Sequence, residues 1–302
     1  MTCVSLGFLG RFLLLTLFAS QALAKPATSQ MGTSVNQSGL AETKKCNNVY
    51  FYEAPNEKIE NMLQAVTKQL AHMQKDIDII KEKKNATKAS KNCAELYKSG
   101  QRISGVYTID PDGSGAFDVF CDQATDGGGW TVFQKRIDGS VNFYRGWADY
   151  KNGFGNLNGE FWLGLDKINR LTRTKNRLRV DLEDTTGKTA YAEYDMFAVT
   201  SERTKYQLSI GTYTGTAGDS LSGHRGYPFT TKDQDNDSSS GSNCAVSFKG
   251  AWWYTSCHAS NLNGVYHHGA HSSYADGVNW YHWKGHKYSA KRAEMKIKPV
   301  KF

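Results

Sequence analysis

The sequence predicts an α+β protein: a short coiled-coil helix leading into one globular domain built on a twisted, mainly antiparallel sheet, with short helices and a long cation-braced loop region. Three observations predict it. Apolar residues recur in a 4-3-4-3-4-3 spacing from Ile59 to Ile80, the period of a supercoiled helix. From about residue 92, short runs of alternating polarity are separated by Gly, Pro and Asp turn signals, as short strands are. Residues 211–287 are dominated by Gly, Ser, Asp, Asn, His and Tyr, yet they contain Asp233, Asp235 and Asp237 at alternate positions and then Cys244 and Cys257. A loop region this long holds together in a compact domain only when something other than a strand ladder braces it.

Residues 1–24 read as a cleaved leader. Arg11 is followed by Phe12, Leu13, Leu14, Leu15, Thr16, Leu17 and Phe18, and then by Ala22-Leu23-Ala24, whose small residues suit a signal-peptidase site. The run is shorter than the roughly 20 apolar residues that a spanning helix needs, and no later segment reads as transmembrane, so the expected product is secreted and extracellular. The whole sequence carries 37 Lys and Arg against 29 Asp and Glu, a net charge of +8, which loss of Arg11 would bring to +7. The basic residues are scattered, and their densest cluster, Lys81, Lys83 and Lys84, sits with Glu82 near a helix end, which gives nucleic-acid binding little support. Of six cysteines, five outlast cleavage, at 46, 93, 121, 244 and 257. In an oxidising compartment four can pair and one is left for an intermolecular bond, and Cys46, just upstream of the helix, is placed for that role.

Residues 25–55 lack a sustained period and read as a flexible arm, with Asn36-Gln37-Ser38 as a glycosylation sequon. The helix is expected over 56–84. Leu63, Leu70 and Ile77 at a, with Ile59, Val66, Met73 and Ile80 at d, favour a trimer or tetramer over a dimer. The 22-residue seam spans about 33 Å, long enough to register chains but short for an isolated coil. A single amphipathic helix packed on its own domain is the alternative. Residues 85–91 form the expected hinge, which includes a second sequon at Asn85-Ala86-Thr87.

The globular domain is expected over 92–302. Strands are predicted at Gly105-Val106-Tyr107-Thr108-Ile109, at Ala116-Phe117-Asp118-Val119-Phe120-Cys121 and at Gly129-Trp130-Thr131-Val132-Phe133-Gln134. A short helix is expected within 161–171. Residues 177–183 alternate strictly, with Leu178, Val180 and Leu182 inward; 190–199, 206–210 and a returning strand over 288–297 continue in the same style.

In the loop, Asp235 and Asp237 lie two apart, and Ser238-Ser239-Ser240-Gly241-Ser242 beyond them can turn its carbonyls back toward one cation. Calcium takes six to eight oxygens at 2.3–2.6 Å and accepts backbone carbonyls and water, whereas zinc would want nitrogen or sulfur ligands that this loop does not offer. The spacing is not that of an EF-hand, because no acidic residue falls at the twelfth position. A solvated acidic turn is the plain alternative. The sequon Asn236-Asp237-Ser238 is expected to be unused.

The motifs Asn92-Cys93-Ala94, Asp126-Gly127-Gly128-Gly129-Trp130-Thr131-Val132-Phe133-Gln134, Phe161-Trp162-Leu163-Gly164-Leu165, residues 231–237, Trp252-Trp253-Tyr254, Cys257-His258, Asn261-Leu262-Asn263-Gly264 and Glu294-Met295-Lys296-Ile297-Lys298-Pro299 resemble, in this order, the fibrinogen C-terminal domain family of fibrinogen chains, ficolins, tachylectins and angiopoietin-like proteins. The resemblance is closest in character to the ficolin and tachylectin lectins, without a collagen stalk. It implies disulfides Cys93–Cys121 and Cys244–Cys257, Ca2+ held by Asp235 and Asp237 with carbonyls near Ser239 and Gly241, and a cis peptide at Ser256-Cys257. This sequence has one more residue between Asp237 and Cys244 than many relatives, which leaves the choice of carbonyl open. By position, the acetyl-binding pocket of the lectin members would be Phe248, Cys257, His258, Tyr274, Ala275 and His286, with His286 standing where acetyl-binding relatives carry Trp or Tyr.

The function expected is that of a secreted calcium-dependent lectin, a homo-oligomer binding acetylated carbohydrates such as N-acetylglucosamine in innate recognition and gaining avidity by clustering. The alternative is a secreted receptor ligand or extracellular-matrix interaction protein of the angiopoietin-like type. An enzyme is not expected. His267, His268 and His271 form a compact His cluster, but residue types alone establish no catalytic constellation, and Cys257 in a disulfide offers no thiolate.

Overall fold

The computed structural model describes residues 56–86 and 89–302; the expected leader (1–24), arm (25–55), Cys46 and the Asn36 sequon lie outside the described residues. Helix α1 runs Asn56–Ala86. It therefore continues two residues past the expected hinge boundary, because Lys81 to Ala86 contains neither Gly nor Pro to stop it. The side chains of Ile59, Leu63, Val66, Leu70, Met73, Ile77 and Ile80 are all exposed. Among the described residues no helix is long and apolar enough to cross a membrane.

The domain opens with α2, Cys93–Lys98, whose first turn is capped by the Asn92 side chain accepting from Glu95 N at 3.0 Å. Six residues carry too little periodicity to be read from sequence, although Asn followed by Glu three residues on is a capping signal. The strands that follow are β1 Gly105–Ile109, β2 Phe117–Asp122 and β3 Trp130–Arg136. Helix α3, Trp147–Asn152, and the short strands β4 Phe154–Gly155 and β5 Phe161–Trp162 lead to α4, Leu165–Leu171. Then come β6 Asn176–Glu183, β7 Thr189–Val199, β8 Leu208–Ile210 and β9 Tyr213–Gly215. The loop region holds only α5 Cys244–Ser247, β10 Ser260–Asn261, β11 Gly269–Ala270, β12 Asn279–Trp280 and α6 Tyr281–Lys284. The last elements are β13 Tyr288–Ser289 and β14 Arg292–Pro299.

Ten strands share one sheet in the order β1-β2-β3-β14-β6-β7-β8, with β4, β5 and β9 beside this path, and every ladder in it is antiparallel. The C-terminal strand thus sits in the middle, where Met295 pairs with Gln134 on one side and Val180 on the other. In β6, Leu178, Val180 and Leu182 are buried and alternate with half-buried polar residues, so one face looks into the core. The single returning strand expected over 288–297 is two strands. Tyr288–Ser289 pairs with β11 in the loop region, and β14 joins the main sheet only from Arg292.

One aromatic cluster joins sheet to loops. Trp253 lies 5.2 Å from Phe229 and 6.2 Å from Phe197, centroid to centroid, and Trp162 meets Tyr150 at 5.5 Å. Its edge-to-face pairs add to the large area that each ring buries.

Candidate functional site

The loop region is held by buried polar side chains. From β3, Gln134 Nε2 donates to Leu262 O at 2.9 Å and Arg136 Nη1 donates to Leu262 O at 2.9 Å and to Gly264 O at 2.8 Å, which anchors the turn after β10 to the sheet. Asn263 Nδ2 donates to Ala251 O at 3.0 Å. Asn261, fully buried, accepts from the Tyr254 hydroxyl at 2.7 Å and donates from Nδ2 to Phe248 O at 3.1 Å and to Ala275 O at 3.4 Å. One amide therefore ties three segments together. The space beside it is so tight that a Cβ on Gly250 would come within 2.4 Å of Asn261 Oδ1. His224 Nδ1 meets Trp253 O at 2.7 Å, and Ala259 N donates to its Nε2 at 3.2 Å. Burial pushes the His224 pKa down to about 4, so the ring is neutral, donating from one nitrogen and accepting at the other. From sequence, Gln134, Asn261 and Asn263 stand only inside a predicted strand or the family motifs, with no anchoring role, and Arg136 and His224 are not singled out. The signal that could have found them is the polar run Asn261-Leu262-Asn263-Gly264 in a region with few ladders to satisfy it.

In the acidic loop, Asp233 is taken up structurally, accepting from Trp147 N at 2.9 Å and Thr231 Oγ1 at 2.6 Å. Asp237 accepts from Ser239 N through Oδ1 and from Cys244 N through Oδ2, both at 2.8 Å, and Asp235 Oδ1 accepts from Asp237 N at 3.3 Å. Burial raises the Asp237 pKa and the neighbouring Asp235 carboxylate raises it further, against the pull of the two amides. Among the described residues no Lys, Arg or His forms an ion pair with either carboxylate. Two adjacent carboxylates with only amide partners are a donor set that suits a hard cation. Ser239 is half-buried and Gly241 exposed on the same turn. The amide of Asn236 donates to Phe229 O at 2.8 Å, so that nitrogen is already engaged.

Cys244 is joined to Cys257 with Cα atoms 5.8 Å apart, and Cys93 to Cys121 at 5.4 Å. The Ser256-Cys257 peptide is cis. Phe248, His258, Tyr274, Ala275 and His286 come together beside it. Phe248 packs edge-on to His258 at 4.7 Å, His258 lies 5.7 Å from His286, and His286 is flanked by Tyr274 at 5.2 Å and by Tyr281 at 4.7 Å. Tyr281 is a member of this surface that sequence reasoning missed. Its signal was weak, since only the fold brings α6 against His286.

His258 Nε2 lies 2.9 Å from Ala275 O, a pure acceptor, so this nitrogen carries a proton. Burial, with His224 close by, lowers the His258 pKa to about 3, which leaves Nδ1 as a lone-pair acceptor, and that atom is buried without a partner among the described residues. His286 is held neutral by burial, and its Nδ1 likewise has no partner. The backbone N–H groups of Cys257 and His258 donate to no acceptor among the described residues. The site therefore has two unpaired amide donors beside an imidazole nitrogen that is itself buried. Ala275 is only 2% exposed, whereas Tyr274 is 62% exposed. What a partner meets first is an aromatic surface rather than the Ala275 methyl.

Residues 89–300 match the family model of the fibrinogen beta and gamma chains, C-terminal globular domain. The protein is 55% identical over 216 residues to fibrinogen C domain-containing protein 1 of Xenopus tropicalis, covering 69% of this chain and 47% of that protein. It is 54% identical over 212 residues to tenascin-R of Mus musculus, covering 69% of this chain and 15% of that protein. It thus spans about half the length, or less, of these curated relatives. Among solved structures, the fibrinogen-like globe domain of human ANGPTL6 superposes with a TM-score of 0.68 at 49% identity, covering 70% of this chain and 96% of that one. These similarities set the domain beside ANGPTL-type and tenascin-R-type proteins rather than specifically beside the ficolin- and tachylectin-like lectins. Domains of this kind are non-catalytic. The protein belongs to the family of the C-terminal globular domain of the fibrinogen beta and gamma chains.

Proposed function

We propose that the protein is a secreted, extracellular recognition protein of the receptor-ligand or matrix-interaction type, and that its contact surface is the aromatic row of Tyr274, His286 and Tyr281. The observation that carries this is the exposure of Tyr274 and Tyr281 over a buried Ala275, in a loop region that Asn261 ties together and Arg136 pins to the sheet. Rigid tyrosines with little side-chain entropy to lose suit the centre of a protein contact. The resemblance to ANGPTL-type and tenascin-R-type proteins supports the same reading, and two buried disulfides fit an oxidising compartment. Calcium is the cofactor of this reading. Asp235 and Asp237, with carbonyls from the Ser239 to Gly241 turn, would hold it, and its charge would offset the repulsion between the two carboxylates and stiffen the loop that precedes Cys244. The exposed apolar seam of α1 would gather subunits into a trimer or tetramer, raising avidity for a repeated partner.

A second reading has its own observation. The unpaired N–H groups of Cys257 and His258 are donors that would suit the carbonyl oxygen of an acetyl group. This favours a calcium-dependent lectin for acetylated glycans, acting in innate recognition.

One experiment separates the readings. The full-length protein and its Tyr274→Ala variant are tested for binding to an array of acetylated and non-acetylated sugars and to cell surfaces and matrix preparations, each with calcium and with EDTA. Cell or matrix binding that free N-acetylglucosamine does not compete, reduced by Tyr274→Ala by about tenfold or more, supports the first reading. Calcium-dependent binding to acetylated sugars, competed by acetate, replaces it with the second. Full binding by Tyr274→Ala on every surface rejects the proposed contact.

A further inference from the structure

The loop that carries Tyr274 and Ala275 is bracketed by a separate polar cluster. His267 Nε2 lies 3.0 Å from Asp276 Oδ1, His271 Nδ1 lies 3.7 Å from the same oxygen, and the three ligand atoms fall within 4.8 Å of one another. The Ser273 hydroxyl sits among them, donating to Asp276 Oδ1 at 2.6 Å, and is 3.0 Å from His271 Nδ1 and 3.4 Å from His267 Nε2. The two imidazoles are stacked at 4.3 Å with 20° between their planes, so two nitrogens of like chemistry point toward one carboxylate oxygen.

We infer that His267 Nε2, His271 Nδ1 and Asp276 Oδ1 form a binding site for a divalent transition metal of the zinc type, which the Ser273 hydroxyl admits by rotating out from among the three ligand atoms and leaving the fourth position to solvent. Zinc bonds to nitrogen and oxygen of roughly 2.0–2.1 Å in a tetrahedron put neighbouring ligand atoms about 3.3 Å apart. The two nitrogen-to-carboxylate separations, 3.0 and 3.7 Å, bracket that value, and the two nitrogens, within 4.8 Å of each other, would close on the ion as it binds. Two imidazoles and one carboxylate are the ligands that zinc accepts and calcium does not prefer, so this site is distinct in chemistry as well as position from the Asp235 and Asp237 loop.

The ligands are set on a pinned backbone. His271 N donates to Lys287 O at 3.0 Å, Val265 N donates to Asp276 O at 2.8 Å, and His267 N donates to Ser289 Oγ at 3.3 Å. Gly277 leaves the room that the His271 ring uses, since a Cβ there would come within 2.7 Å of His271 Nε2. For a metal to bind, the proton on His271 Nδ1 would move to Nε2, and the proton that His267 Nε2 shares with Asp276 would move to Nδ1 or leave to solvent. His271 Nε2 faces Asn279 at 3.4 Å, whose buried Oδ1 has no partner among the described residues; turning this amide would supply an acceptor at the expense of its 2.7 Å bond to Tyr288 O. Because Tyr274 and Ala275 lie between Ser273 and Asp276, an occupied site would stiffen the loop that presents them, whichever partner Tyr274 contacts.

The test uses the full-length protein, stripped with a chelator and dialysed, then titrated calorimetrically with Zn2+ alone. One saturable equivalent is expected, with affinity reduced by about tenfold or more in His267→Ala. His268→Asn should leave it unchanged, because His268 stacks on Tyr266 at 6.0 Å instead of joining the cluster. Replacing Zn2+ with Co2+ gives a readout that needs no variant: intense visible bands report the four-coordinate site, and a weak octahedral spectrum would overturn it. The inference also fails if Zn2+ does not saturate, or if His267→Ala, folded by circular dichroism, binds Zn2+ as tightly as the parent.

Discussion

Replacing Asn261 by Ala removes the amide that ties Tyr254, Phe248 and Ala275 together. The Ala275 carbonyl keeps its bond from His258 Nε2, so it is not orphaned. The Tyr254 hydroxyl and the Phe248 carbonyl have no other partner among the described residues, and each buried orphan costs about 1–3 kcal/mol. Asn261→Ala should therefore lower unfolding free energy by about 2–5 kcal/mol, toward the lower end if water enters the polar cavity. Urea denaturation of parent and variant measures this. A double-mutant cycle sharpens it. Tyr254→Phe alone leaves Asn261 Oδ1 unpartnered and should destabilise, whereas in the Asn261→Ala background it removes the orphaned hydroxyl and should cost little or stabilise. The coupling expected is at least about 1 kcal/mol. A loss below about 0.5 kcal/mol for Asn261→Ala, or additive effects in the cycle, would refute the assignment of Asn261 as the central tie.

The buried histidines make stability depend on pH. His224 has a folded pKa of about 4 against the ordinary 6.5, so the unfolded state takes up the proton first as pH falls. Its contribution is complete above about pH 6.5, declines by about 1.4 kcal/mol per pH unit below that, and is exhausted near the folded value. His258, whose pKa is lowered in the same direction, steepens the decline, and His224→Gln should make it shallower in urea titrations between about pH 7 and pH 5. Calcium should raise the thermal midpoint of the parent, while Asp237→Asn, which keeps an acceptor for only one of the two amides and removes the charge, should lower the metal-free midpoint and abolish that rise in differential scanning fluorimetry. On α1, Leu70→Asp places a charge among the exposed apolar residues and should convert the proposed trimer or tetramer to monomer by light scattering; a parent that is already monomeric, or an unchanged mass, would remove α1 from assembly.

Much of the sheet was legible because its cause is local. The alternation of Leu178, Val180 and Leu182 marks a one-sided strand in any setting, and β6 and β7 fall within a residue or two of their expected bounds. The returning strand was legible in kind but not in extent. Residues 288–299 alternate in polarity except at Lys291-Arg292, where two polar residues adjoin, and pairing of Tyr288–Ser289 with Gly269–Ala270 divides the run there. The candidate site divides the same way. Asp235 and Asp237 announce themselves by charge and spacing, whereas Tyr281, Asn261 and His224 are ordinary residue types whose importance comes from what surrounds them.

By itself the sequence determined that α1 is a helix, the one-sided strands, the acidic turn and, through ordered motifs, the family. Each of these rests on neighbours within a few residues, where side-chain type and period suffice. Only the tertiary structure decided that β14 lies between β3 and β6, that Asp233 is structural while Asp235 and Asp237 are left with amide partners, and that His286 sits between two tyrosines over a buried Ala275. It also decided that His267 and His271 meet Asp276. These depend on segments far apart in the sequence whose approach is set by the shared core and by buried polar groups that must find partners there, and no local pattern encodes which partner each one finds.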